Sequence, residues 1–312
     1  MDLNKYQKEA FKTDQVKGQG EKSIVVPLLG LAGEAGSLLT EYKKRFRDGK
    51  AYKIFDERLA EELGDILWYI ANIATKSGLA LDDIANQNLE KVRERWQSIS
   101  DLDTTPKGYK LFDEAFALEE QLPRKFTVSL EEVKLPNTVK VTLIMNGVQI
   151  GGRLTDNTYE EDGYRFHDAF HLAYAAILGW SPTIRSFMKR KRKSNPKIDE
   201  VEDGGRAIAI EEAISALVFN YAKTYCYFEN VHSIDYEMLR TIKNLVSHLE
   251  VARCSTGEWA YAILEGFKVW RQLLVTGRGK IVGDLIARTI YFENMTSEDN
   301  SCYTALQTSH IL

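Results

Sequence analysis

From the N-terminus to about Trp96 the apolar residues recur at helical spacing. Leu3, Tyr6, Ala10 and Phe11 fall on one face. In EELGDILWYIANIATKSG, the residues Leu63, Ile66, Leu67, Ile70 and Ala74 form a stripe that ends at Gly78, a C-terminal cap. DDIANQNLEKVRERW continues as another helix, with Asp82 or Asp83 placed to cap its start. The period then changes. RKFTVSLEEVKL and TVKVTLIMNGVQIGG are rich in Val, Thr and Ile, partly alternate, and carry the turn dipeptide Asn146-Gly147, which predicts two or three strands between roughly Arg124 and Arg153. After DNTYEEDGYRF the helical period returns and runs to about Phe292, and the closing ENMTSEDNSCYTALQTSHIL reads as a loose tail. The fold class is mainly α, with a helical domain over 1–104, a linker with a small β element over 105–160, a second helical domain over 161–295 and a tail over 296–312.

Bulk properties narrow the classes. A chain of 312 residues suits two domains, and 44% hydrophobic with 28% charged residues is an ordinary globular composition. A net charge of −4 excludes a generally basic nucleic-acid coat but says nothing of local patches. Cys226, Cys254 and Cys302 lie far apart and form no CxxC, which favours a reducing compartment. The polar start MDLNKYQKEAFKTD has no apolar leader, and the expectation is that no stretch reaches the roughly 20 apolar residues of a bilayer span. The protein is expected to be cytoplasmic.

The acids come next. Glu34, in GLAGEAGSLL, opens a helical acid pair whose second place holds Ser37. Glu62 and Asp65 are i, i+3 neighbours, and Tyr69 and Asn72 continue their stripe. Glu61 and Asp65 are a like-charge i, i+4 pair, costing roughly a few tenths of a kcal/mol on a bare helix. The flank ILWYIANIA is largely apolar, and carboxylates between buried surfaces are expensive unless a cation or donors satisfy them. A divalent ion fits that pattern. Arg58 is in reach of Glu62, while Glu41, with Lys44 and Arg45 following at i+3 and i+4, reads as a surface salt bridge.

With GLAGEAGSLL, AEELGDILWYIANIA and NLEKVRERW in order, roughly the first hundred residues resemble the MazG-like all-α nucleoside triphosphate pyrophosphohydrolases. That family's metal motif is two acids three apart on one helix and Glu-x-x-Asp on the next. Glu62-Leu63-Gly64-Asp65 matches the second pair and Glu34 the first member of the first, while Ser37 replaces the other glutamate. The resemblance implies a helical bundle that cleaves an NTP or dNTP to the monophosphate and pyrophosphate with Mg²⁺, Mn²⁺ being a workable substitute. Glu34, Glu62 and Asp65 would hold the ion, Glu62 sharing in catalysis, and Glu61 would orient the attacking water. Asn88, Lys91 and Arg95, on one helical face, would meet the phosphates, although the same trio is equally a solvated basic stripe. Three acids suffice for one Mg-nucleotide, because Mg²⁺ takes only one or two carboxylates and recruits waters and phosphate oxygens. The lost acid removes a second ion or the orientation of the water, unless Glu61 or Glu41 stands in. The alternative is a catalytically impaired nucleotide-binding sensor or structural subunit. Family members share the bundle between subunits, which implies a homo-oligomer or an internal pseudo-dimer.

The second half echoes the first. EEAISALVFNYAKTY sets against EELGDILWYIANIATK, and HDAFHLA against GEAGSLL, so that Asp168, His171 and Glu212 form a second candidate site with Ser215 where the aspartate would stand. The competing reading of these residues is helix packing through hydrogen-bonded polar groups, and His167-Asp168 alone is a weak likeness to HD-type phosphohydrolases. Lys189 to Lys193 are unbroken basic residues: a solvated, self-paired loop, a triphosphate clamp or a nucleic-acid contact. No aromatic residue interleaves them, so nucleic acid is not an expected partner. Trp259, Ile263, Phe267, Trp270 and Leu274 make a core or interface stripe.

Overall fold

A computed structural model describes residues 1–16, 18, 21–96, 110–136 and 138–295, and the tail expected over 296–312 lies outside them. The chain divides into two units, Met1–Arg93 and Glu94–Leu312.

In the first unit the helical spacing produces α1 (Leu3–Lys12), α2 (Glu21–Asp48), α3 (Phe55–Lys76) and α4 (Leu81–Trp96). Contacts descend α2 as they climb α3: Tyr42 meets Phe55, Glu34 meets Glu62, and Gly30 meets Tyr69, so the pair is an antiparallel hairpin. A Cβ on Gly30 would fall 2.3 Å from the Tyr69 ring, and the bare backbone there is what lets the helices close. α1 is fastened to α3 by Trp68 Nε1 donating to Thr13 Oγ1 at 2.7 Å and by a buried Lys76–Asp14 ion pair at 2.6 Å. Gly78, at φ +70°, follows α3 where the spacing put its cap. At α4 the expectation is corrected: Asp82 and Asp83 lie within the first turn, and Gln7 of α1 accepts the orphan Leu81 N–H at 2.9 Å.

The first unit's core is small: Ala10, Ala71, Ala74 and Leu81, with Tyr6 and Trp68 against it. The stripe of α3 does not feed it. Leu63 is 49% exposed, and Leu67, Ile70, Leu39 and Phe46 are exposed as well. α2 is also long and apolar enough to cross a membrane by length and composition, contrary to the sequence-level expectation that no stretch is.

The second unit is built on an antiparallel sheet of β1 (Lys125–Leu135), β2 (Thr138–Met145), β3 (Val148–Leu154), β4 (Arg278–Asp284) and β5 (Thr289–Glu293) in the order β3-β2-β1-β4-β5. The first three strands are those the alternation predicts, with Asn146 and Gly147 both at positive φ in the β2–β3 turn. The last two overturn the reading of helix up to Phe292. β4 pairs with β1, so the β element and the C-terminal half are one fold. The signal was weak because two of the three inward positions of β4 are Gly279 and Gly283, each taken up by a phenylalanine ring, Phe292 and Phe126.

Around the sheet lie α5 (Asp168–Ala173), α6 (Pro182–Phe187), α7 (Pro196–Val201), α8 (Gly205–Lys223), α9 (Tyr236–Leu245) and α10 (Thr256–Thr276). α10 starts in a Ser255/Glu258 capping box and ends at Gly277 in the left-handed conformation. Its Trp259, Ile263, Phe267 and Trp270 are buried as the stripe predicts, while Leu274 is exposed at the helix end. The basic run is no open patch. Arg192 is fully buried and paired with Asp203 at 2.7 Å and Glu250 at 2.6 Å, and Arg190 donates to the Leu118 carbonyl.

Candidate functional site

The α2–α3 hairpin brings Glu34 and Glu62 together across the helix pair, with Asp65 exposed one turn further along α3. Glu62 is half-buried, and its carboxyl is pushed above the ordinary 4.5 by desolvation first, then by the charge of Glu34 and a hydrogen bond to it, with Glu41 and Asp65 adding to the effect. A cluster of this kind, all oxygen and crowded enough to resist ionising fully, suits a hard divalent cation.

Three local expectations change. Arg58 pairs with Glu61 at 2.6 Å rather than with Glu62. Glu41 is not a surface ion pair: it is 5% exposed, holds Lys44 at 2.5 Å and accepts a hydrogen bond from Tyr52. Arg45 turns away and donates to the Gly49 carbonyl at 2.9 Å. Tyr52 is a neighbour that the sequence reading missed, since it lies outside the helical period in the connection between α2 and α3. Asn88 and Lys91 sit exposed on α4, and the side chain of Arg95 lies outside the described residues. Ser37 is half-buried on the same helix as Glu34.

A second polar cluster occupies the heart of the other unit. His167 and the whole of α5 are buried, so the polar side chains of HDAFH point into protein. α8 presents Glu211 and Glu212 to them. His171 Nδ1 is 3.0 Å from Glu211 Oε1, His171 Nε2 is 3.4 Å from Glu212 Oε1, and His167 Nε2 is 3.6 Å from Glu212 Oε2. One ligand atom from each of His167, Asp168 and His171 lies within 4.8 Å of the others. Asp168, His171 and Glu212 are thus brought together as the echo anticipates, and His167 and Glu211 join them. Glu211 was missed because successive helical residues point about 100° apart, so the sequence reading took only Glu212 as facing α5.

Electrostatics in this cluster are strongly coupled. Burial acts first on His171 and would lower its pKa, but the Glu211 and Glu212 carboxylates outweigh it and hold the ring well above its ordinary value. Burial would raise Glu212, yet the polar contacts of the His167 and His171 rings hold it well below the carboxylate range. Burial pushes Asp168 up. A π-helical turn, Tyr174–Leu178, follows α5 directly, a distortion that recurs at functional sites.

Comparison with known proteins agrees with the two-unit layout. Residues 27–99 match the MazG nucleotide pyrophosphohydrolase domain and residues 107–296 the MazG C-terminal domain. The gene 37 protein of Mycobacterium phage L5 is 33% identical over 101 residues, which cover 30% of this chain and 89% of the phage protein. No solved structure matches. The hairpin of acids thus sits inside the matched pyrophosphohydrolase region, and the chain belongs to the MazG family, with an N-terminal nucleotide pyrophosphohydrolase domain followed by a MazG C-terminal domain.

Proposed function

We propose that the first unit is a Mg²⁺-dependent pyrophosphohydrolase that cleaves a nucleoside or deoxynucleoside triphosphate to the monophosphate and pyrophosphate. The observation that carries this reading is the Glu34–Glu62 juxtaposition across α2 and α3, with Glu62 raised by its neighbours. Glu34, Glu62 and Asp65 are the residues assigned to the cation. Bound there, Mg²⁺ supplies the positive charge that lets a polyanion approach carboxylates and polarises the phosphoryl group under attack. The bond from the α-phosphorus to its bridging oxygen breaks, the water oxygen joins the α-phosphorus, and the β- and γ-phosphates leave as pyrophosphate. Glu61, exposed and paired with the exposed Arg58, is the side chain assigned to orient that water and take its proton. Asn88, Lys91 and Arg95 are assigned to the phosphates.

The exposed apolar face of α2 and α3 supports a second copy of the chain as partner, since the second unit buries its apolar helices within itself. A bilayer would have to take in Glu34 along with α2, at a cost that a protein partner does not impose. The unpaired Cys226 and buried Cys254 suit the cytoplasm.

The test is product analysis. Purified chain is incubated with Mg²⁺ and each common NTP and dNTP, and the nucleotides are resolved by ion exchange beside the Asp65→Ala variant. Monophosphate and pyrophosphate from the wild type, with the variant slower by about 100-fold or more, are expected. Unchanged triphosphate throughout would leave the nucleotide-binding sensor, in which Ser37 has ended turnover.

A further inference from the structure

We infer that the second unit holds a divalent transition-metal ion between α5 and α8, with His167 Nε2, His171 Nε2, Asp168 and Glu212 as ligands. This site is independent of the pyrophosphohydrolase centre. One ligand atom from each of His167, Asp168 and His171 lies within 4.8 Å of the others, and Glu212 meets both imidazoles. Bonds of about 2.1 Å in a tetrahedron put ligand atoms roughly 3.4 Å apart, and the two histidine Nε2 atoms stand 3.4 and 3.6 Å from the Glu212 oxygens.

The tautomers are set as well. His167 Nδ1 is 2.8 Å from the Tyr164 carbonyl, which can only accept, so in the neutral ring Nδ1 carries the proton and Nε2, toward Glu212, is the ligand atom. His171 Nδ1 lies beside Glu211, whose carboxylate is itself fixed by Ser181 Oγ at 2.6 Å and the Thr183 N–H at 2.9 Å. A backbone carbonyl behind one histidine and a carboxylate behind the other is the support that metal-binding imidazoles use.

An ordinary buried network accounts for the cluster less well. His171 is fully buried, yet neither of its ring nitrogens has an aligned hydrogen-bond partner. Among the described residues no lysine or arginine pairs with Asp168, Glu211 or Glu212; their cationic partners are imidazoles. One divalent ion would neutralise Asp168 and Glu212 together. Two nitrogen ligands favour Zn²⁺ and its first-row neighbours over Mg²⁺, which takes oxygen. The cluster reaches the surface at Glu212, whose side chain is 40% exposed while the others are buried.

The experiment uses the full chain carrying Glu34→Ala, Glu62→Ala and Asp65→Ala, which dismantles the cation site assigned to the first unit. After chelator treatment it is titrated with Co²⁺, followed by visible d–d absorption, and then with Zn²⁺ in competition. One equivalent of each, with tetrahedral-type Co²⁺ bands, is expected. Glu211→Gln, which removes the charge behind His171 without touching a proposed ligand, should weaken Zn²⁺ binding by about 10- to 100-fold. Glu212→Gln, at the exposed edge, should weaken it at least tenfold with the circular dichroism spectrum unchanged, and it decides the matter if histidine variants fail to fold. Absence of stoichiometric binding, or binding unchanged in Glu212→Gln and His167→Ala, would overturn the site. The readout is metal content, so it stands or falls apart from nucleotide hydrolysis.

Discussion

At the scale of single residues, position in the helical period foretold company better than it foretold partners. Glu34, Glu62 and Asp65 share one helix pair, as the family resemblance implied, because i, i+3 on α3 and the hairpin turn leave few alternatives. Their ion-pair partners were misread, because rotamer and approach angle choose between Glu61 and Glu62 for Arg58, and no spacing rule does. Glu62 now gives a sharp test. In the metal-free protein its charge is disfavoured by Glu34, so Glu62→Gln relieves repulsion rather than removing a support. Its melting temperature at neutral pH should be no lower than that of the wild type. The rise that Mg²⁺ gives the wild type should vanish, and turnover should fall by about 100-fold or more. Differential scanning fluorimetry with and without Mg²⁺ reads both, and a destabilised metal-free variant would count against the cluster.

At the scale of elements, the second unit is tied by arginines rather than by apolar contact alone. Asp113 accepts from Arg185 and Arg124, each at 2.7 Å, and from the Leu122 N–H at 2.8 Å, while Arg185 is almost wholly buried. Burial works to raise the Asp113 carboxyl, but Arg185 and these hydrogen bonds hold it below the ordinary 3.8. A depressed carboxylate stabilises the fold above its unfolded pKa, and that contribution is lost as pH falls through the lower folded value. Acid unfolding of the second unit should therefore begin below about pH 4 and be less steep in Asp113→Asn. Asp113→Ala, which takes the nearest carboxylate from the buried Arg185 and leaves it Asp203 at 3.7 Å, should cost about 3–5 kcal/mol by chemical denaturation at neutral pH. The basic run was legible as charge, but only packing showed Arg192 to be interior cement.

At the scale of the whole molecule, the first unit is short of core. Among the described residues, four buried apolar side chains cannot balance the entropy of fixing four helices, and the uncovered Leu63, Leu67 and Ile70 stripe is the surface that would make up the difference. The chain should elute at twice its mass or more in size-exclusion chromatography, and Leu63→Glu with Leu67→Glu should shift it towards the monomer and lower the first unit's stability. A wild-type monomer at micromolar concentration would remove the second copy as partner.

Local periodicity of 3.6 or 2 was enough for the mainly helical class, the first three strands and the buried face of α10, and the pairing of Glu34 with Glu62 and Asp65 was legible only through the family resemblance. The sequence by itself also placed Asp168, His171 and Glu212 in one frame through their echo of the first half. Tertiary structure decided what local period cannot encode. β4 hides its alternation behind two glycines and became a strand by pairing with β1. Glu41 became interior by the closure of a turn. Glu211 entered the second cluster because α8 packs on α5, a matter of how helices distant in sequence meet, which depends on the volume of every side chain between them.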